Sequence, residues 1–184
     1  KKGDFLYKDL NGDGVIDDND KYAVGHGLAP RLTYGFSLGA EWNGFDFSCL
    51  FQGNAGLQVY WQDKFYMGYI NYGDVINKEI AEGAWREGRT NATYPRLLTG
   101  LNTLNAQPSD FWVQNKSYLR LKNVQIGYKI PKKLLQKLDI SQLRLYTSLE
   151  NMLTFTSYKG IDPEISGTTY PTMKQITVGV NVVF

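Results

Sequence analysis

The most chemically specific stretch of the chain is Asp9-Leu10-Asn11-Gly12-Asp13-Gly14-Val15-Ile16-Asp17-Asp18-Asn19-Asp20. Hard oxygen donors fall at its first, third, fifth and ninth places (Asp9, Asn11, Asp13, Asp17), Gly14 sits at the tight turn, and Val15 offers its carbonyl. This is the spacing of a calcium loop, where alternate side chains point inward and wrap one Ca²⁺. The last place holds Asp20 rather than Glu. The candidate metal ligands are therefore Asp9, Asn11, Asp13, Val15, Asp17 and Asp20, with Ca²⁺ as a structural cofactor. The same residues also read as a solvated acidic turn. Residues 1–8 and 21–31, with Gly25, Gly27 and Pro30, lack a helical pattern. A sensor with two flanking helices is therefore not expected, and an ion pinning a loop is.

No catalytic constellation is present, and the chain does not read as an enzyme. His26 is the only histidine and lies between two glycines, which suits a surface loop. Cys49 is the only cysteine and falls on the apolar side of a strand pattern, where packing is expected rather than reactivity. No glycine loop suited to phosphate and no Lys/Arg block occurs, and a net charge of +2 points to no nucleic-acid partner. The aromatic stretch 53–72 (Tyr60, Trp61, Phe65, Tyr66, Tyr69, Tyr72) suits either stacking on sugar rings or packing against neighbouring loops or a partner.

The elements that must position these residues are strands. Leu32, Tyr34, Phe36, Leu38, Ala40 and Trp42 share one face, opposite Thr33, Gly35, Ser37, Gly39 and Glu41. Asn43-Gly44 follows, a strong hairpin signal, and Phe45, Phe47, Cys49 and Phe51 line the next strand. A strand from Phe111 to Ile130 changes phase near Lys122-Asn123, as at a β-bulge. Leu143, Leu145, Leu149 and Leu153 mark another. Ile176, Val178, Val180, Val182 and Phe184 alternate to the last residue. A short helix is expected over Asp74 to Arg86, capped by Asp74, with Val75, Ile76, Ile80, Ala84 and Trp85 on one side.

No run of about 18 apolar residues exists, so no transmembrane helix is expected, but barrel strands need only about 9–11 residues of alternating pattern. The fold class is all-β: an antiparallel transmembrane β-barrel, of which this chain supplies about five strands and long extracellular loops. If Phe184 ends in the periplasm, the short turns at Asn43-Gly44 and 131–139 fall on that side. The long stretches then fall outside the cell, which is the usual asymmetry of such barrels. The organisation is 1–31 as an extracellular loop with the acidic motif, 32–53 as a barrel hairpin, and 54–110 as a long extracellular loop. Residues 111–184 supply the last three strands, with an extracellular loop at 154–172. Five strands cannot close a barrel, so the chain reads as a piece of something longer.

Several segments resemble the C-terminal end of SusC/RagA-type TonB-dependent outer-membrane transporters. They are Tyr7-Lys8-Asp9-Leu10-Asn11-Gly12-Asp13-Gly14-Val15-Ile16-Asp17, Asn91-Ala92-Thr93-Tyr94-Pro95-Arg96-Leu97 and Ser117-Tyr118-Leu119-Arg120-Leu121-Lys122-Asn123-Val124-Gln125-Ile126-Gly127-Tyr128. Glu150-Asn151-Met152-Leu153-Thr154-Phe155-Thr156 and the terminal strand add to them. The resemblance implies a barrel of about 22 strands with a plug, in the bacterial outer membrane and bathed in its lipid. It implies import of glycans or peptides, a SusD-like surface lipoprotein, and TonB acting through parts outside this sequence. Two other readings stay open: a soluble calcium-stabilised β-sandwich that binds carbohydrate, and a passive porin.

Overall fold

The computed structural model of the chain describes residues 1–25, 27, 29–60, 69–70, 76–99, 104–136, 139–165 and 169–184, with backbone alone at 69, 70 and 106. His26, Trp61, Phe65, Tyr66, Tyr72, Asp74 and Val75 lie outside the described residues. The chain divides into two units, a loop unit of 1–25 with 59–114 and a sheet unit of 26–58 with 115–184.

The sheet unit is built on five strands: β1 (Leu32–Trp42), β2 (Phe45–Ala55), β3 (Tyr118–Lys129), β4 (Gln142–Thr156) and β5 (Gln175–Val183). They pair antiparallel in the order β1-β2-β3-β4-β5. Asn43 (φ 49°) and Gly44 (φ 88°) both adopt the left-handed conformation that a tight two-residue hairpin requires. Register then carries the alternation across the sheet. Ala40 faces Phe47, Phe47 faces Ile126, Tyr128 faces Leu145, and Leu145 faces Val180. Apolar side chains therefore gather on one side, and most of them, including Leu38, Phe45, Phe47, Ile126, Leu145, Val178 and Val180, are exposed. No second sheet covers that side among the described residues.

The phase change near Lys122-Asn123 is a bulge. Leu50 pairs with Asn123 and Phe51 with Leu121, leaving Lys122 as the extra residue on β3. On the next strand Leu121 pairs with Leu153 and Asn123 with Glu150, and Asn151 there takes a φ of 54°. The extra residue turns both Lys122 and Asn123 toward the polar side, where Asn123 donates to Ser148 Oγ at 2.9 Å. A regular strand would send one of them into the apolar row.

Three boundaries differ from those expected of the sequence. The strand expected from Phe111 to Ile130 begins only at Tyr118. Asp110–Trp112 is a 3₁₀ turn capped by Ser109, and Val113–Asn115 is a separate short strand. The alternation of Phe111 and Val113 is overridden because Phe111 and Trp112 both join an aromatic cluster. The helix α1 covers Lys78–Gly83, and its cap is Asn77, whose side chain accepts from Glu79 N–H. The connection expected at 154–172 lies two to three residues later in the chain, because β4 runs to Thr156 and β5 begins at Gln175. The turn after β3 contains one helical turn, α2 (Lys132–Leu135), with Leu135 buried.

The loop unit has its own core. Ile80, Ala84, Tyr94 and Trp112 are buried. Phe5, Phe111 and Trp112 meet with ring centroids 4.8 to 5.8 Å apart. Burying one such ring removes ~150–250 Å² from water, on the order of 4–6 kcal/mol at about 25 cal/mol per Å². The N-terminal segment is stitched in by Arg96 N–H donating to Gly3 O at 2.8 Å and by a two-pronged Arg96–Asp4 pair at 2.5 and 2.9 Å. Asn105 donates to Asp4 and accepts from Phe5 N–H at 2.9 Å.

Candidate functional site

The acidic loop is a chain of Asx turns. Asp9 accepts from Gly12 N–H at 2.6 Å through Oδ1 and from Gly14 N–H at 2.8 Å through Oδ2. Asn11 accepts from Asp13 N–H, and Asp13 accepts from Val15 N–H and from the Asn11 amide. Asp17 caps the 3₁₀ turn Asp18–Asp20, while Asp20 reaches back to Asp17 N–H at 2.9 Å and to Leu10 N–H at 2.7 Å. These backbone donors hold the Asp20 carboxyl below its ordinary range, and Lys21 does the same for Asp18. Asp20 thus closes the loop by joining its two ends. Among the described residues no three His, Cys, Asp or Glu side chains converge into a metal-holding group. The donor set is nonetheless that of a hard cation. Each carboxylate oxygen spent on one N–H keeps a further lone pair.

A cleft of about 710 Å³ opens beside this loop in the same unit. Phe5, Tyr7, Tyr22, Tyr60 and Phe111 line it, with Leu10 and Asp20 contributed by the acidic loop. Tyr7 OH donates to Leu104 O at 2.8 Å, and burial pushes this phenol up to about 12. The cleft offers ring faces and aliphatic walls together with the polar side chains of Lys8, Lys21, Ser109 and Asp110. Tyr60 is the one residue of the expected aromatic stretch whose side chain is described on it.

The polar side of the sheet carries the second set of charges. Arg144 on β4 forks onto Asp46 on β2, with Nε to Oδ2 at 2.8 Å, and lies 5.0 Å from the Tyr146 ring. A Cβ at Gly127, on the strand between them, would come within 2.6 Å of both partners, so glycine is what lets the pair bridge over β3. Nearer the other end of β3, Arg120 donates through Nε to Thr154 Oγ1 at 2.8 Å, through Nη2 to Asp162 at 2.8 Å, and through Nη1 to Glu164. Glu164 also accepts from Lys122 at 2.6 Å and from Tyr118 OH at 2.9 Å. Arg120 and Asp162 are buried. Sequence reading missed this cluster. Its signal was present in the alternate basic positions Lys116, Arg120 and Lys122, facing the two carboxylates of Asp162-Pro163-Glu164, but the separation along the chain hid their contact.

The remaining candidates behave as simple residues. Cys49 is buried, between Leu38 and Val124 on the neighbouring strands. His26 lies outside the described residues.

No protein-family model matches the chain. Individual relatives do. TonB-dependent receptor P3 of Formosa agariphila is 31% identical over 198 residues, which cover 99% of this chain and 19% of the receptor. TonB-dependent receptor SusC of Bacteroides thetaiotaomicron is 27% identical, over 97% of this chain and 17% of its own length. Among solved structures, that of the RagAB peptide transporter superposes with a TM-score of 0.70 at 29% identity, covering 91% of this chain and 19% of the matched one. The RagAB importer in its closed-closed state gives 0.66. These relatives are receptors and transporters, not enzymes. This chain spans about a fifth of their length. The sheet is accordingly a section of an antiparallel β-barrel, its exposed apolar side the outer surface and its polar side the inner one. The chain belongs with the SusC/RagA-type TonB-dependent receptors.

Proposed function

We propose that the chain is a wall section of an outer-membrane importer for glycans or peptides, driven through TonB and working with a SusD-like surface lipoprotein. The observation that carries this is the sheet's two-sidedness. Uncovered aliphatic and aromatic side chains fill one side, and hydrogen-bonded polar groups such as Asp46, Arg144, Asn123 and Ser148 fill the other. In water such a surface would aggregate; against lipid it is the low-energy arrangement. With Phe184 at the periplasmic end, the Asn43-Gly44 and 131–139 turns face the periplasm and the stretches 1–31 and 54–110 are extracellular. The aromatic cleft would then be open to arriving cargo. The test is uptake of labelled oligosaccharides and labelled peptides by cells carrying the full-length protein, with and without TonB. Uptake of one class that vanishes without TonB supports the reading. Uptake unaffected by TonB would mean a passive pore.

The acidic loop is, on the same reading, a Ca²⁺-stabilised feature of the outer surface, held by Asp9, Asn11, Asp13, Asp17, Asp20 and the Val15 carbonyl. Its support is the donor spacing and the closure by Asp20. Removing Ca²⁺ with a chelator should speed protease cleavage within residues 9–20, and Asp13→Ala should abolish that dependence. Equal cleavage with and without chelator would defeat the calcium assignment.

A further inference from the structure

The connection between β4 and β5 is a long loop, yet it is tied down by buried charges. Three basic side chains on and just before β3 reach it from one side. Lys116 Nζ donates to Ile165 O and lies 5.7 Å from the Tyr158 ring, Arg120 grips Asp162 and Glu164, and Lys122 grips Glu164. Asp162 is the hub. Its Oδ1 takes Arg120 Nη2 and Glu164 N–H, each at 2.8 Å, and its Oδ2 takes Thr172 N–H at 3.0 Å. One carboxylate thus joins the strand wall, the outgoing arm of the connection and the arm that returns to β5. Burial alone would push Asp162 up, but the Arg120 guanidinium and the two backbone donors outweigh it and leave its carboxyl below the ordinary value. Burial in turn pulls the Lys116 ammonium down.

We infer that the described residues 157–165 and 169–174 form a strap latched onto the inner side of the sheet, with Arg120 as its pin and Asp162 as its catch. Lys122 stands two residues beyond Arg120 and so shares its side of the strand. Removing one partner of a charge pair this buried leaves the other charge uncompensated away from water. The strap is thus a fixed part of the inner wall and not a freely moving surface loop. The inference does not depend on the cargo or on TonB.

The experiment is limited trypsin digestion of the full-length protein in native outer membranes, following cleavage after Lys159 and Lys174, the two basic residues of the strap. Both side chains are exposed, so protection of the adjoining bonds must come from the fixed backbone. The expected result is at least a ten-fold faster cleavage in Arg120→Gln and in Asp162→Asn, with the double variant no faster than the faster single one. Glu164→Gln should fall between these and the wild type. Should Arg120→Gln fail to reach the membrane, Asp162→Asn, nearly identical in volume, carries the test alone. Cleavage at the wild-type rate in variants that assemble, or multiplying effects in the double variant, would overturn the latch.

Discussion

The loop unit and the sheet unit solve the same problem in opposite ways. The loop unit gathers part of its apolar groups into an interior core, although Leu6, Val15, Ile16 and Tyr22 stay exposed. Ile80, Ala84, Tyr94 and Trp112 are buried, and the charged residues Asp4 and Arg96 secure its edge. The sheet unit shows its apolar groups outward. Val178, Phe155, Leu38 and Phe45 are exposed, while its buried side chains include Arg120, Asp162, Lys116 and Ser148. On the proposed reading, water is the solvent of the first and lipid of the second. A charge buried in the sheet unit is held by partners on the polar side, and a methyl group on its outside needs no cover. The two units therefore respond differently to the same kinds of substitution.

The largest expected effect lies in the loop unit. Trp112→Ala should cost about 3–5 kcal/mol there through cavity formation. Hydrogen exchange should rise across 1–25 and 76–99 and stay low in β1 to β5. Exchange rising equally in both units would erase the distinction. Next comes the sheet. Val178→Arg should cost about 2–4 kcal/mol near the membrane midplane, whereas Thr177→Arg, one residue away on the inner side, should be tolerated. The fraction of heat-modifiable barrel on a gel reads both, and equal losses would contradict the assigned sides. A smaller effect concerns Asp4. Arg96 holds its carboxyl well below the ordinary 3.8, so its contribution is complete above that value and is lost as pH falls toward the folded-state value. Asp4→Asn should cost about 1.5–3 kcal/mol at neutral pH. The difference from wild type should stay constant from neutrality to about pH 5 and shrink below pH 4. A difference that grew on acidification would have the wrong sign.

The sequence and the structure agree best where neighbours along the chain decide the outcome. The hairpin at Asn43-Gly44, the alternation of β1, β2 and β5, and the slip at Lys122 are all local patterns with a fixed period. What escaped was decided at a distance. Phe111 and Trp112 continue a strand pattern, yet they turn into a 3₁₀ segment because Phe5, more than a hundred residues earlier by number, completes their cluster. The Arg120 latch was hidden for the same reason, since Asp162 lies 42 positions away. The helix begins at Lys78, where the Asn77 side chain caps it, a position the apolar spacing alone did not single out. The acidic loop was legible as a motif, but its closure through Asp20 onto Leu10 and Asp17 required the fold.

The most direct test of the two-solvent account is a spin-label scan of β5 in the full-length protein, reconstituted in lipid after Cys49 and any other cysteine are replaced. Single labels at 176 through 183 would be probed with oxygen, which partitions into lipid, and with a water-soluble nickel chelate. The account predicts strict alternation, with oxygen collisions high at 176, 178, 180 and 182 and low at 177, 179 and 181. A profile without alternation, or one favouring the chelate at the even positions, would contradict it.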